Sequence, residues 1–195
     1  MRICLLRHGE TEANAQRRYL GRSDLPLSEK GRAELFPTGL AVREVFVSPM
    51  RRAVQTAEIL FPGARLIPVP ELREMDFGAF EGHTWQELSE VPAYQAWVDG
   101  NCLGNIPGGE GKEPFCQRTN RAFAALVDRA LESGTQLLAV VAHGGTQMAV
   151  LERYARPARD YFSWQGPHGG GYLLDASRWE PEGVLEVLET VRYTR

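Results

Sequence analysis

Apolar residues occur along the chain in short continuous runs that alternate with stretches of helical spacing. The runs at residues 3–6 and 137–142 predict strands over residues 2–7 and 136–142 that are covered on both faces, because a half-exposed strand would alternate apolar and polar positions. Over residues 113–131 the apolar positions recur every three or four residues, which predicts a long helix with one buried face. Strands alternating with helices predict an α/β fold, a three-layer α/β/α sandwich with a mostly parallel central sheet.

Weaker patterns predict the remaining elements. Further strands are expected at residues 42–47, 66–69, 172–175 and 185–191, the last with the alternation of an edge strand. Further helices are expected within residues 10–19, from Ser28, and over residues 146–154. Another helix is expected up to residue 60, with Ser48 as its cap and Pro49 as its first residue, since proline is favoured at the first helical position.

Residues 70–111 interrupt this rhythm with many glycines and two short helical patterns, at 84–90 and 92–99. We predict one domain over residues 1–195, with residues 70–111 as a lid-like excursion over the strand ends. Its aromatic side chains either line a substrate mouth or cover a small loop core; they are Phe77, Phe80, Trp85, Tyr94 and Trp97.

Composition narrows the class of protein. With 195 residues, 43% hydrophobic content and a net charge of −3, the chain suits a soluble globular protein. It lacks the basic excess of a general nucleic-acid binder and any apolar run near the roughly 20 residues that span a bilayer. Cys4, Cys102 and Cys116 show no C-x-x-C spacing, which favours a reducing compartment. No signal-like segment precedes the first strand. We therefore expect a cytoplasmic protein without nucleic-acid or membrane partners.

Two predicted strands end in histidine followed by glycine, at His8 and at His143. Ligands of open α/β sheets bind outside the carboxyl ends of the strands. Arg7 offers a planar fork suited to phosphate oxygens, and a neutral His8 can attack phosphorus. Asn14 and His143 could donate hydrogen bonds that stabilise charge on a transferred group.

A third strand end adds Arg51 and Arg52 at the start of a helix, where an anion is favoured. Adjacent helical residues diverge by about 100°, so one arginine is expected in the site and the other in solvent. Each residue also has a structural explanation, such as pairing of Arg7 with Glu10. The coincidence of three strand ends favours a phosphate site.

Six segments in order resemble the histidine phosphatase superfamily, also called the phosphoglycerate mutase-like family. They are Arg7-His8-Gly9-Glu10-Thr11 with Asn14, residues 21–28 with Gly31, residues 48–57, residues 72–78 with Glu81-Gly82, residues 107–110, and Val141-Ala142-His143-Gly144-Gly145.

The resemblance implies a mechanism and a set of site residues. His8 would be the nucleophile that becomes phosphohistidine, and Glu74 the acid and base, with Asp76 and Glu81 as competitors. Arg52, which directly precedes Ala53, is preferred over Arg51. The full implied set is His8, Glu74, Arg7, Arg52 and His143 for catalysis, with Asn14, Gly21 and Gly144 added for phosphate or substrate binding. No metal or other cofactor is implied.

Departures from the family pattern bear on the reaction. Mutases commonly have tryptophan where this chain has Ala13, and residues 82–107 contain no lysine or arginine for a carboxylated substrate. We expect a metal-independent phosphatase of a small phosphomonoester, most similar to α-ribazole phosphatases. Phosphoglycerate mutase and a non-catalytic phospho-ligand binding protein are the alternatives, and a homodimer is left open. His168 matches nothing in the family and is interpreted as a surface residue.

Overall fold

The structure is a computed structural model that describes the backbone of residues 1–195 and every side chain except that of residue 181. The strands are β1 Arg2–Arg7, β2 Glu44–Val47, β3 Arg65–Pro68, β4 Leu137–Ala142, β5 Ala155–Arg156, β6 Gly170–Asp175 and β7 Leu185–Arg192. The helices are α1 Glu12–Ala15, α2 Glu29–Glu34, α3 Arg51–Leu60, α4 Trp85–Leu88, α5 Pro92–Asp99, α6 Lys112–Glu132, α7 Gly144–Tyr154 and α8 Trp179–Glu182. Within the described part of the chain, no helix is both long and apolar enough to cross a membrane.

The strands form one sheet in the order β3-β2-β4-β1-β6-β7-β5. Neighbours pair in parallel except at β6, which runs antiparallel to both β1 and β7. The predicted mostly parallel sheet is confirmed. The final strand lies near one edge, where β5 covers only its first two residues.

Side chains of β1 alternate between two cores, which confirms the three-layer prediction. Ile3 and Leu5 pack into the core beneath α6 and α7. Cys4 and Leu6 face the other way, into the core beneath α3. All four are fully buried, and each large apolar side chain so buried contributes about 1.5–3 kcal/mol. A continuous apolar run is therefore what a strand between two helical layers requires.

A third core lies beneath residues 70–111. Phe80, Tyr94 and Trp97 are buried there against Phe115 of α6, and the rings of Phe80 and Trp97 are 5.6 Å apart. Trp85 is instead 54% exposed. The loop-core interpretation thus holds for most of these aromatic residues, although Phe77 and Trp97 also border the cavity described below.

One predicted helix is short and another begins later than predicted. The first, α1, lies within residues 10–19 but ends at Ala15, and Arg17 beyond it adopts a left-handed backbone conformation with φ of 56°. The third helix does not begin at Ser48 and Pro49: α3 starts at Arg51, with Met50 at the cap position. Ser48 is not the cap, and its hydroxyl lies 2.7 Å from His143 Nε2 instead.

Candidate active site

The register of the sheet brings the two strand-ending histidines together. Arg7 lies opposite Ala142, so the next residues, His8 and His143, leave neighbouring strands at the same edge. Their ring centroids are 5.2 Å apart in an edge-on arrangement. This meeting of strand ends is the site that the sequence predicts.

His8 is held as a neutral imidazole. Its side chain is almost fully buried, and Nδ1 lies 2.6 Å from the carbonyl oxygen of Gly9, which assigns the proton to Nδ1 and leaves a lone pair on Nε2. Burial, followed by the positive charges of Arg52 and neighbouring groups, lowers the pKa of His8 well below 6.5. A neutral imidazole with a free Nε2 is the form that can attack phosphorus.

Arg7 and Arg52 both point into the buried region around His8. Arg7 donates from Nη1 to the carbonyl of Gly166 at 3.0 Å, and its Nε is buried without a partner. Burial lowers the pKa of Arg7 to about 10, so the side chain stays charged at neutral pH. Arg52 is fully buried, also with an unpartnered Nε, whereas Arg51 is exposed. Of the two adjacent arginines, Arg52 is therefore the one that faces the site.

Gly21 lies behind Arg52 rather than on the cavity wall. Its carbonyl accepts a 2.7 Å hydrogen bond from Arg52 Nη2, and the carbonyl of Ser23 accepts one from Nη1 at 2.9 Å. A Cβ at Gly21 would lie 2.0 Å from the carbonyl oxygen of Met75, so only glycine fits. Gly21 thus orients Arg52 through its backbone, and its predicted contact with substrate stays a prediction.

His143 ends β4 and precedes α7. It is fully buried, Ser48 Oγ lies 2.7 Å from Nε2, and Nδ1 has no partner. Burial, then the charges of Arg52 and Arg7, lower the pKa of His143 well below 6.5. The Gly144 amide that follows is the first of α7, a position whose N–H has no partner within a helix. Both groups can donate to an anion.

Asn14 presents its amide to the same place. A capping box with Thr11 opens α1, in which Asn14 Oδ1 accepts from the Thr11 amide at 3.2 Å and from its hydroxyl at 2.9 Å. With Oδ1 engaged in this way, the Nδ2 amide remains as a donor on the cavity wall.

Glu74 is the carboxylate nearest to this set. It is 9% exposed and accepts hydrogen bonds from the amides of Met75 at 2.9 Å and Gly145 at 3.0 Å. These bonds hold the Glu74 carboxyl group beside the N-terminus of α7. Glu74 lines a cavity of about 280 Å³ together with Arg7, Asn14 and Gly144.

The two competing carboxylates, those of Asp76 and Glu81, accept hydrogen bonds from backbone amides in loops instead. Asp76 Oδ1 accepts from the amide of Gly78 at 2.9 Å. Glu81 accepts from the amides of Arg22 and Ser23. Burial raises the pKa of Glu81, but its hydrogen bonds, led by that from the Ser23 hydroxyl, outweigh burial and lower it. Neither carboxylate borders the cavity that Glu74 lines.

The mouth of this cavity is largely aromatic. Its wall includes Tyr19, Phe77, Trp97, Tyr161 and Phe162. Its cations are already paired. Arg18 lies 2.8 Å from Glu87, and Lys112 lies 3.2 Å from Glu152 and 4.0 Å from the centre of the Tyr161 ring. A larger cavity, of about 480 Å³, lies around residues 41–46 and 129–138 and has no histidine in its wall.

His168, interpreted as a surface residue, is half-buried and lies beside the site. Its ring lies 5.7 Å from that of His8, and its Nε2 is buried without a partner. The cause is the antiparallel direction of β6, which places Leu6 opposite Gly171 and so brings the turn before β6 beside the end of β1. A histidine within a glycine-rich turn was the available signal, but the sequence does not indicate the direction of the strand that follows it.

Among the side chains that the structure describes, no group of three or more histidine, cysteine, aspartate or glutamate residues is arranged to hold a metal ion. The cations around His8 are the side chains of Arg7 and Arg52. The expected absence of a cofactor stays a prediction.

The chain is similar to known proteins in sequence and in fold. Residues 3–183 match the family model described as Histidine phosphatase superfamily (branch 1). A Cronobacter sakazakii protein named "Probable phosphoglycerate mutase GpmB" is 36% identical over 155 residues, which cover 74% of this chain and 70% of that protein. The crystal structure of α-ribazole phosphatase from Shigella flexneri matches with a TM-score of 0.81 and 26% identity, covering 100% of this chain and 96% of the other. That of phosphoglycerate mutase from Thermus thermophilus matches with a TM-score of 0.70 and 32% identity, over 98% of each chain.

Proposed function

Because the chain belongs to the histidine phosphatase superfamily, we propose that it is a phosphatase that hydrolyses a small phosphomonoester through a phosphohistidine at His8. One observation carries this proposal. A neutral His8, with Nε2 free, lies among buried nitrogens of Arg7, Arg52 and His143 that have no partner. These nitrogens suit the oxygens of a phosphoryl group, and Glu74 lines the adjoining cavity.

The reaction has two steps. In the first, His8 Nε2 attacks phosphorus, the bond from phosphorus to the ester oxygen breaks, and protonated Glu74 gives its proton to the leaving alcohol. In the second, the Glu74 carboxylate takes a proton from water as that water attacks phosphorus. The phosphorus–nitrogen bond then breaks, phosphate leaves, and both residues return to their starting states.

The mouth supports a phosphatase for an apolar or aromatic alcohol. A carboxylated substrate such as 3-phosphoglycerate would need a free cation near the leaving group. Arg18 and Lys112, which border the cavity, are instead paired with Glu87 and Glu152. Aromatic walls favour a flat, apolar group, since aromatic rings gain from stacking or edge contacts. α-Ribazole phosphate is the candidate substrate, in keeping with the name of the Shigella flexneri structure.

A cytoplasmic setting is part of this proposal. Each of the chain's cysteines is a free thiol in the described structure, which suits a reducing compartment. The proposed partner is the small phosphorylated substrate, without nucleic acid or membrane.

The test is phosphate release, in EDTA, from p-nitrophenyl phosphate, α-ribazole phosphate, sugar phosphates and 3-phosphoglycerate, with mutase activity assayed in parallel. We expect release with a clear preference for an aromatic ester. Interconversion of phosphoglycerates without net release would replace the proposal with phosphoglycerate mutase, as the relatives' names suggest. Phosphate binding without turnover would replace it with a phospho-ligand binding protein.

A further inference from the structure

Buried polar atoms without partners concentrate around His8. Eight such side-chain atoms occur in the described part of the chain. Four of them are nitrogens of the residues around the His8 imidazole, namely Arg7 Nε, Arg52 Nε, His143 Nδ1 and His168 Nε2. The first three belong to the proposed phosphate site. The fourth has the same unmet hydrogen-bonding capacity and no assigned role.

His168 is the second imidazole in contact with the nucleophile. The His8 ring centroid is 5.2 Å from that of His143 and 5.7 Å from that of His168. His168 and Arg7 also line two further cavities, of about 300 and 290 Å³, and the first of these includes Asn14. The residue therefore borders the same region as the phosphate-binding side chains.

The turn that carries His168 is held by several hydrogen bonds. The amide of Gly169 donates to the carbonyl of His8 at 3.0 Å. Gln147, which is fully buried, accepts from the Gly166 amide at 3.1 Å and donates to the Gly170 carbonyl at 3.1 Å. The position of the imidazole is thus set before any ligand binds, which reduces the entropic cost of using it.

Charge favours a neutral donor at this position. Burial, with the charge of Arg7 as a second cause, lowers the pKa of His168 to about 3. A neutral imidazole can donate from Nε2 without placing another positive charge beside His8. An anion in the pocket selects the tautomer with the proton on Nε2, because the other tautomer would point a lone pair at the anion.

We propose that His168 is a third histidine of the phosphate pocket, and that its Nε2–H donates a hydrogen bond to a non-bridging phosphoryl oxygen. This makes His168 a substrate-binding residue. The inference rests on the proposed function only in that a phosphoryl group occupies the pocket. A hydrogen bond to a charged oxygen corresponds to about 10- to 100-fold in affinity.

Binding of inorganic phosphate and orthovanadate, measured by calorimetry, tests this contact without turnover. His168→Phe keeps a ring against His8 but removes the donor, whereas His168→Asn retains one. His83→Phe is the matched control, because the His83 side chain is 54% exposed. We expect His168→Phe to weaken both ligands by about 10-fold or more, His168→Asn to weaken them by less than about 3-fold, and the control to match the wild type. Wild-type affinity in a folded His168→Phe variant would overturn the proposal.

The unaltered protein provides a second test that does not depend on a variant folding. Nitrogen-15 spectra of the imidazoles, recorded with and without phosphate, report which ring nitrogen carries the proton. We expect phosphate to hold the His168 proton on Nε2 and to slow its exchange with water. A His168 spectrum unchanged at saturating phosphate would overturn the proposal. If phosphate binds in this way but no ester is hydrolysed, the proposed function fails and the His168 contact still stands.

Discussion

The phosphate pocket and the aromatic mouth differ in whether their polar groups have partners. The pocket comprises Arg7, His8, Arg52 and His143, and the mouth is the aromatic part of the cavity wall. The pocket stands on the ends of β1 and β4 and on the start of α3, and its buried nitrogens lack partners. The mouth is formed largely by loops and short helices, and its cations, Arg18 and Lys112, are already paired. Under the proposed function, the pocket would bind the charged phosphoryl group and the mouth the uncharged alcohol. Chemistry and choice of alcohol should therefore respond to separate substitutions.

The largest expected effect is the loss of the nucleophile. His8→Ala should lower kcat by roughly 10⁴-fold or more, because it removes the nitrogen that attacks phosphorus. The measurement is steady-state release of p-nitrophenol, with the exposed His83 replaced by alanine as the control. Activity of His8→Ala within about tenfold of the wild type would show that the reaction does not take place in this pocket.

The acid and base should show the next largest effect. Glu74→Gln keeps an acceptor for only one of the Met75 and Gly145 amides and cannot transfer the proton, so kcat should fall by about 10²–10⁴ while phosphate affinity changes little. Asp76→Asn is the matched control, since Asp76 bonds only within its loop among the described contacts. If Asp76→Asn produces the loss and Glu74→Gln does not, the acid is misassigned.

Acid should weaken the pocket's contribution to stability. Folding lowers the pKa values of His8, His143 and His168, so below the unfolded value of about 6.5 the unfolded chain binds more protons than the folded chain. The free energy of unfolding is therefore largest above that pH and falls as the pH drops, with each histidine adding at most about 1.4 kcal/mol per pH unit. Urea unfolding between about pH 7.5 and pH 5, on either side of that value, measures this slope.

Variants show how much of this pH dependence comes from the pocket. His168→Asn should reduce the slope of the free energy of unfolding against pH by the contribution of one histidine. Phe162→Ala, a substitution in the mouth, should leave that slope unchanged. Equal slopes for His168→Asn and the wild type would show that His168 takes up a proton freely in the folded protein.

The smallest expected effect concerns the mouth alone. Phe162 borders the cavity and is 58% exposed, so Phe162→Ala removes an aromatic contact with little cost to the core. We expect kcat/KM to fall about 3- to 10-fold for an aromatic ester and to stay constant for glycerol phosphate. Leu103→Ala is the control, because Leu103 is equally exposed but lies outside the cavity wall. An equal loss for both esters would mean that the two regions are not separable.

The pocket was more predictable from the sequence than the mouth for a physical reason. Continuous apolar runs can be satisfied only by strands buried on both faces, so the runs ending at His8 and His143 determined where the strand ends had to lie. Arg52 followed from helical geometry together with the family resemblance, since its neighbour Arg51 had to point elsewhere. Glu74 and Gly21 rested on resemblance, because loop segments carry no such periodicity.

What escaped prediction depends on long-range pairing. The direction of β6, which brings His168 beside His8, is decided by which strand it pairs with and not by its own residues. Ser48 likewise had the composition of a helix cap, and only the neighbouring β4 shows that its hydroxyl meets His143. The division of the aromatic residues between loop core and mouth also depends on packing across α6. Domain boundaries and a homodimer stay predictions.

The most direct test of the central claim is rapid quenching of the reaction with p-nitrophenyl phosphate carrying radioactive phosphorus, followed by mapping of the labelled residue. The account predicts an acid-labile phosphoryl group on His8 that forms and decays at least as fast as turnover, and that is absent from His8→Ala. Phosphate release at the normal rate with no label on His8 would contradict it.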